Sequence, residues 1–361
     1  MVDLTMRLTI AIGTGNSIMK KVIMVKMMKL SSKIFFVLAT IAVFYSCTPE
    51  QPVVENTTTG EAPKTNTVTE KPHVVPPEFN ADSAFAYVKA QADMGPRVPG
   101  SKAHDKAVAY YQKHFKALGA DVKVQGGNMN TFDGKQWRVD NVIATFNPEA
   151  KTRILLTAHY DSRPFADKDP VVANRTKPCP GVNDGASGVG VLMEVARLIK
   201  EKAPKVGVDI ILFDLEDYGD NGDQYSWCLG SAYWAQNLHK PNYKAKYAIL
   251  LDMVGAKDAV FPREGESVFY ANDVVNKIWN AADKLGYSNY FIYEEAGKMT
   301  DDHVPINEIA MIPAVDILHY NYLTNQFFPQ HHTTNDDLST IDKKTLKAVG
   351  QTLMEVIYNE E

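Results

Sequence analysis

The chain is poor in cysteine, in long apolar runs and in surplus positive charge, and each shortage removes a class of protein. Three cysteines in 361 residues cannot build a disulfide scaffold. After Cys47 only Cys179 and Cys228 remain, so one bond or two inert thiols are both open. No apolar run reaches the roughly 20 residues of a membrane-spanning helix. Residues 1–46 hold six basic side chains and Asp3, which leaves 32 Lys+Arg against 42 Asp+Glu beyond them, a net charge of −10. Such a balance argues against nucleic acid as a partner. There are no internal repeats, and 45% apolar with 22% charged residues is ordinary globular material.

What is present begins with an address. The run Ile34–Tyr45, "IFFVLATIAVFY", follows Lys20, Lys21, Lys26, Lys29 and Lys33. A basic segment before a short apolar core reads as a secretory signal. Ser46-Cys47 at its end resembles a bacterial lipoprotein signal, with Cys47 as the lipidated first mature residue. The expected organisation is a signal over 1–46, a disordered tether over 47–76 rich in Thr, Pro and Glu, and one catalytic domain over 77–361. Met24, Met27 or Met28 would serve equally well as the start. The expectation is an exported, monomeric, periplasmic or outer-membrane-anchored lipoprotein of a Gram-negative bacterium.

In the folded part, apolar residues at three- and four-residue spacing predict helices over Asn80–Met94 and Lys102–Leu118. "DVKVQ" and "RVDNVIATF" predict paired strands. Short apolar strands then alternate with helices: strands at 153–159, 206–216, 246–255 and 312–318, helices at 186–201, about 229–238, about 273–285 and 342–358. Near-continuous apolar strands imply burial on both faces. The fold class is therefore α/β, a single domain with a central mixed, mostly parallel twisted sheet flanked by helices and an antiparallel edge.

Ligands of such sheets bind beyond the carboxyl ends of the strands, and here each of those ends is polar. His159 and Asp161 close one strand, Asp184 precedes a helix, Asp214-Leu215-Glu216-Asp217 closes the next strand, and Asp252 another. "TDDH" and "QHHTTNDD" follow later. Singly, Asp184 could be a helix cap, Asp252 a strand-end acceptor and His332 a loop histidine. Adjacent carboxylates such as Glu216 and Asp217 repel one another and gain nothing unless a cation lies between them. Together these residues predict a metal site, with Asp184 both holding metal and capping its helix. Histidine nitrogen with carboxylate oxygen suits zinc. A neighbouring glutamate that is not a ligand can move protons.

The ordered set "HYDS", "NDGASGVGVLMEVAR", "LFDLED", "LLDMVGA", "DDHVP" and "HHTTNDDLSTID" resembles the zinc-dependent aminopeptidase (M28-like) superfamily. More narrowly it is similar to the glutaminyl-peptide cyclotransferases of animal type and their bacterial relatives. In the peptidases five residues hold two zinc ions, which implies His159, a bridging Asp184, Asp217, Asp252 and His332. In the cyclotransferases three hold one zinc, which implies Asp184, Asp217 and His332. The "DDHVPI" loop, the "HTTNDDLSTID" tail and "SWCLGSAYWA" resemble the cyclase branch. This chain departs from the animal enzymes in having Asp217 for a glutamate and His331 for a tryptophan.

The resemblance implies that Glu216 shuttles a proton within a carboxyl cluster of Glu216, Asp252 and Asp302. Asp301 would orient the substrate, Trp227, Trp234, Phe328 and His331 would line its pocket, and His159 would be a leftover second-site ligand. The substrate would be a peptide or protein with N-terminal glutamine. A two-zinc aminopeptidase is the alternative, and a non-catalytic peptide-binding lipoprotein the minor one.

Overall fold

The computed structural model describes residues 72–361; the expected signal and all of the tether before residue 72 lie outside the described residues. The chain is bonded to the domain from His73 onward. His73 Nε2 lies 2.7 Å from Glu355 Oε1, the Asn359 side-chain amide pairs with both the N–H and the carbonyl of Val74, and Lys202 Nζ donates to the Val75 carbonyl. The last residues of the span expected as a tether are thus held by these groups.

Two amphipathic helices, α1 (Ala81–Ala92) and α2 (Lys102–Ala117), lead into the antiparallel strands β1 (Asp121–Asn130) and β2 (Gln136–Phe146). The α/β alternation follows as β3 (Arg153–His159), α3 (Ala186–Glu201), β4 (Gly207–Phe213), α4 (Leu229–Gln236) and β5 (Ala248–Asp252). Then come β6 (Phe261–Arg263), α5 (Gly265–Lys284), β7 (Phe291–Glu295), α6 (His303–Glu308) and β8 (Ala314–Leu318). A hairpin of β9 (Tyr320–Asn321) and β10 (Gln326–Phe327) and the closing helix α7 (Lys343–Tyr358) complete the domain. The main sheet runs β1-β2-β4-β3-β5-β8. β4, β3, β5 and β8 are parallel, and β2 joins β4 antiparallel, which is the mixed sheet with an antiparallel edge that the sequence predicts.

Alternation along the strands divides the core in two. Leu156, Ile210, Ile249 and Ile317 face a large cluster with α1, α2, α3, α5 and α7. Leu155, Ile211, Ala248 and Ala314 face a smaller one with Trp234 of α4 and Ile306 of α6. Burial of both faces explains why these strands carry so few polar residues. α3 lies so close to the sheet that a Cβ on Gly188 would stand 2.3 Å from the Leu251 carbonyl oxygen.

Two features depart from expectation. α5 starts eight residues earlier than the predicted 273, with a break at Ala271, because Glu264 caps it with a long side chain rather than the short one usual at that position. β6, β9 and β10 are too short for a period-two pattern to register, and β7, "FIYEE", lacks that alternation. Cys179 and Cys228 are both buried and free.

Glu264 also receives the Met299 N–H at 2.8 Å and stands 3.1 Å from His303 Nε2, so it ties the 296–302 loop to α5. Burial alone would raise its pKa, but the hydrogen bond and charge of His303, with the capped N–H groups, hold it down to about 2. A carboxyl depressed in the folded state stabilises above its unfolded value of roughly 4.3. That contribution is lost as pH falls through about 2. Glu264→Gln should cost about 1–3 kcal/mol at pH 7, with the difference from wild type shrinking toward pH 2 in denaturant melts.

Candidate active site

The three parallel strands β3, β4 and β5 end together, and the turns that follow them carry the predicted residues. Asp161 accepts from the backbone N–H groups of Glu216 (3.1 Å) and Asp217 (3.2 Å). Asp336 does the same for Asn183 and Asp184. Asn183 Oδ1 takes the Gly255 N–H, and Ser187 Oγ the Val254 N–H. Buried acceptors therefore fix the loops on which the functional carboxylates stand. Leu215, Cys228, Met253 and His332 all have left-handed backbone, with φ between 51° and 56°; each such residue costs on the order of 1–3 kcal/mol, and such residues cluster at functional sites.

Asp184 lies at the centre. Its Oδ1 is 3.0 Å from His159 Nε2, and its Oδ2 is 3.8 Å from His332 Nε2 and 3.8 Å from His331 Nε2. On one side His159 Nε2 also meets Asp252 Oδ1 at 3.1 Å. On the other, His332 Nε2 lies 3.1 Å from Asp217 Oδ1. The Asp184-Gly185 peptide bond is cis, and a Cβ on Gly185 would meet His159 Nε2 at 2.4 Å. Asp184 does not cap α3: Gly185 holds the cap position with no side-chain bond, because both carboxyl oxygens are turned toward histidines.

The charges are shared unequally. Burial would raise Asp184, but His159, His331 and His332 bring it below the usual carboxylate range. Burial raises Asp252 to about 8 against the pull of His159. Burial, with Asp184 beside it, raises Asp217 well above its ordinary value. Burial also raises Glu216 well above its own, and the charges of Asp301, Asp217 and Asp302 add to it. His159 is driven up: burial opposes its charge, but Asp161, Asp184 and Asp252 outweigh that. Burial pushes His332 down to about 3, and burial and His332 push His331 down. Neutral imidazoles beside carboxylates are the donor set zinc takes.

Hydrogen bonding sorts the donors. Asp217 Oδ1 is buried with no hydrogen-bond partner although it faces His332 Nε2, while the outer nitrogens, Nδ1 of His332 and of His159, face Asp167 and Asp161. Asp184, Asp217 and His332 therefore fit a cation. Asp184 with His331 and His332, and His159 with Asp184 and Asp252, are groups of metal-ligand spacing, and in the latter His159 Nε2 is hydrogen-bonded to Asp252.

A cleft of about 260 Å³ opens over these residues. Asp184, Glu216, Trp227, Asp252, Asp301, His331 and His332 of the predicted set line it. A wider cavity of about 760 Å³ between the start of α1 and the start of α7 holds no such set, and its Lys343 and Lys347 are already paired with Asp82 and Glu78.

Three expectations are corrected. Asp301, not Asp302, stands at the cleft in one group with Glu216 and Cys228; Asp302 opens α6 and is wholly buried behind it. Phe327 lines the cleft in place of Phe328, which packs on Met253 and Leu318 and lines the neighbouring cavity. Trp234 is core, against Phe213 and Tyr243.

Residues not foreseen hold the site in shape. Arg163 is buried between the rings of Phe165 (4.4 Å) and Trp227 (4.6 Å), and Trp227 stacks on His332 at 5.8 Å and 9°. Arg163 grips Asp167 through two hydrogen bonds, and Asp167 Oδ1 lies 3.5 Å from His332 Nδ1. Cys228 Sγ donates to Glu216 Oε1 at 3.4 Å. "SRPFAD" carries no periodic signal; only the placement of an arginine four residues before an aspartate after the strand could have pointed to it.

Comparison with known proteins places this geometry. The model of peptidase family M28 matches residues 141–357. The solved glutaminyl cyclase of Bacteroides thetaiotaomicron, bound to N-acetylhistamine, is 46% identical, with 80% of this chain and 100% of that chain covered and a TM-score of 0.78. Aminopeptidase YwaD of Bacillus subtilis is 28% identical over 213 residues, 57% of this chain but only 40% of that protein's length. The glutaminyl-peptide cyclotransferase of Bos taurus is 25% identical over 293 residues, 71% of this chain and 76% of that one.

Because Asp167 faces the free nitrogen of His332, it should orient that ring toward a metal. Asp167→Asn should weaken zinc binding by about tenfold or more, measured by competition with a chromogenic chelator, and should also lower the thermal melt of the metal-free protein because Arg163 loses its carboxylate partner.

Proposed function

The chain belongs to peptidase family M28, and from that premise we propose that it is a zinc-dependent glutaminyl-peptide cyclotransferase, closing the N-terminal glutamine of peptides and proteins to pyroglutamate with release of ammonia. The observation that carries this reading is the pairing of a glutaminyl cyclase neighbour, 46% identical over its entire chain, with a buried carboxylate oxygen left unsatisfied on one side of Asp184 alone. Asp217 Oδ1, facing His332 Nε2, lacks a hydrogen-bond partner, whereas Asp252 Oδ1 on the other side is bonded to His159 Nε2. One zinc on Asp184, Asp217 and His332 is the stoichiometry this favours.

Zinc held there supplies a Lewis acid for the side-chain carboxamide oxygen of the substrate. The protein's own groups do the rest. The α-amine attacks the carboxamide carbon, a C–N bond forms within the chain, and the bond to the amide nitrogen breaks. One proton must pass from the amine to the departing nitrogen, which leaves as ammonia, and no water is consumed. Glu216, raised by burial, stands at the cleft and is the carrier. Asp301 beside it is placed to orient the amine, and Asp252 to share the cluster's protons. Asp302 acts from behind. Trp227 and His331 wall the glutamine side chain.

A two-zinc aminopeptidase is the competing reading, supported by the second donor group of His159, Asp184 and Asp252 and by the YwaD likeness. We also propose that the chain is exported and lipidated at Cys47, on the strength of the Lys-flanked apolar run that ends at Ser46-Cys47.

Purified protein should release ammonia from Gln-naphthylamide and leave Leu-naphthylamide intact, with about one zinc per chain. Faster cleavage of the Leu compound with two zinc ions would establish the peptidase instead. Glu216→Gln should lower kcat by about 10²-fold or more with zinc retained. Cys228→Ser, which keeps a donor to Glu216, should retain more activity than Cys228→Ala at equal zinc content.

A further inference from the structure

Beside the catalytic cleft lies a second cavity of about 460 Å³. Lys168, Phe327 and His331 line both, so they form the wall between them. On the far side stand His319, stacked on Phe328 at 6.1 Å and 21°, and polar side chains of the β9–β10 hairpin, Asn321, Thr324 and Gln326. Such a space beside a reaction centre suits part of the substrate that does not react.

Charge is divided between the two spaces. Asp184, Glu216, Asp252 and Asp301 line the cleft and draw in a substrate amine. Among the described residues, Lys168 is the one lysine or arginine lining either cavity. Its Nζ donates to His331 Nδ1 at 3.0 Å and lies 5.4 Å over the Phe327 ring. These contacts hold it at the junction, while an ammonium has three donors and two remain for a ligand. Consecutive Cα atoms are about 3.8 Å apart, so a peptide whose first side chain fills the cleft places its second residue near that wall.

We propose that the second cavity receives the side chain of the residue after the N-terminal glutamine, and that Lys168 selects an acidic side chain there. The proposal rests on the cyclisation reading and adds a substrate preference to it. A lysine open to solvent gives a modest, salt-sensitive effect, on the order of three- to fivefold in kcat/KM.

The test compares Gln-Glu-amide, Gln-Lys-amide and glutamine amide on the full-length enzyme, with ammonia release as the readout. At low salt, kcat/KM for Gln-Glu-amide should exceed that for Gln-Lys-amide about three- to fivefold, mainly through KM, and the ratio should shrink at high salt. Lys168→Met should bring the ratio to about one, and Lys168→Glu should invert it. Thr324→Trp, which narrows the second cavity, should lower the rate on Gln-Glu-amide relative to glutamine amide. A wild-type ratio near one, or a ratio that survives both Lys168 changes, overturns the selection. An unchanged relative rate in Thr324→Trp overturns the placement in the cavity. Absence of ammonia from glutamine amide would instead count against cyclisation itself.

Discussion

A crowd of carboxylates buried at one end of a parallel sheet is stable only when something positive stands among them, and the rest of this structure follows from that constraint. Asp184, Asp217, Asp252, Asp301 and Asp302 are all buried within the same few turns. Like charges so placed either share protons or share a cation. The protein does both. Asp252 is raised to about 8 by burial and meets His159, while Asp217 turns an oxygen that no hydrogen bond satisfies toward His332. A proton-holding half and a metal-holding half thus meet at Asp184, whose two oxygens face opposite ways.

Much of this was legible in the sequence because the demands were local. Strands covered on both faces are nearly all apolar, with Asp209 and Asp316 as buried exceptions within β4 and β8, so the ends at His159, Asp214 and Asp252 stood out as polar clusters. The donors at those ends were legible for the same reason. What escaped was decided by neighbours distant in sequence. Asp301 and Asp302 are adjacent and chemically alike; which one reaches the cleft depends on where α6 begins and on how Glu264 pins the preceding loop. Phe327 and Phe328 divide in the same way, one to the cleft and one to the core. Arg163 and Lys168 lie in a segment without period, and their roles exist only through rings and histidines brought from elsewhere.

Several side chains that looked like chemistry are scaffolding. Asp161 and Asp336 each spend both oxygens on backbone N–H groups, and Asp214 accepts from Asp140 N–H while facing His104. The opposite case is Cys228, which composition marks only as a scarce residue. Its thiol meets Glu216 from a left-handed backbone position at the start of α4, so an ordinary core residue type ends up on the proton carrier.

The first described residues lie at the end of α3 opposite the reacting groups. Asp184 sits at the amino end of α3, whereas Val75 is held by Lys202, just past its carboxyl end. Sixteen helical residues at 1.5 Å each separate the two by about 24 Å.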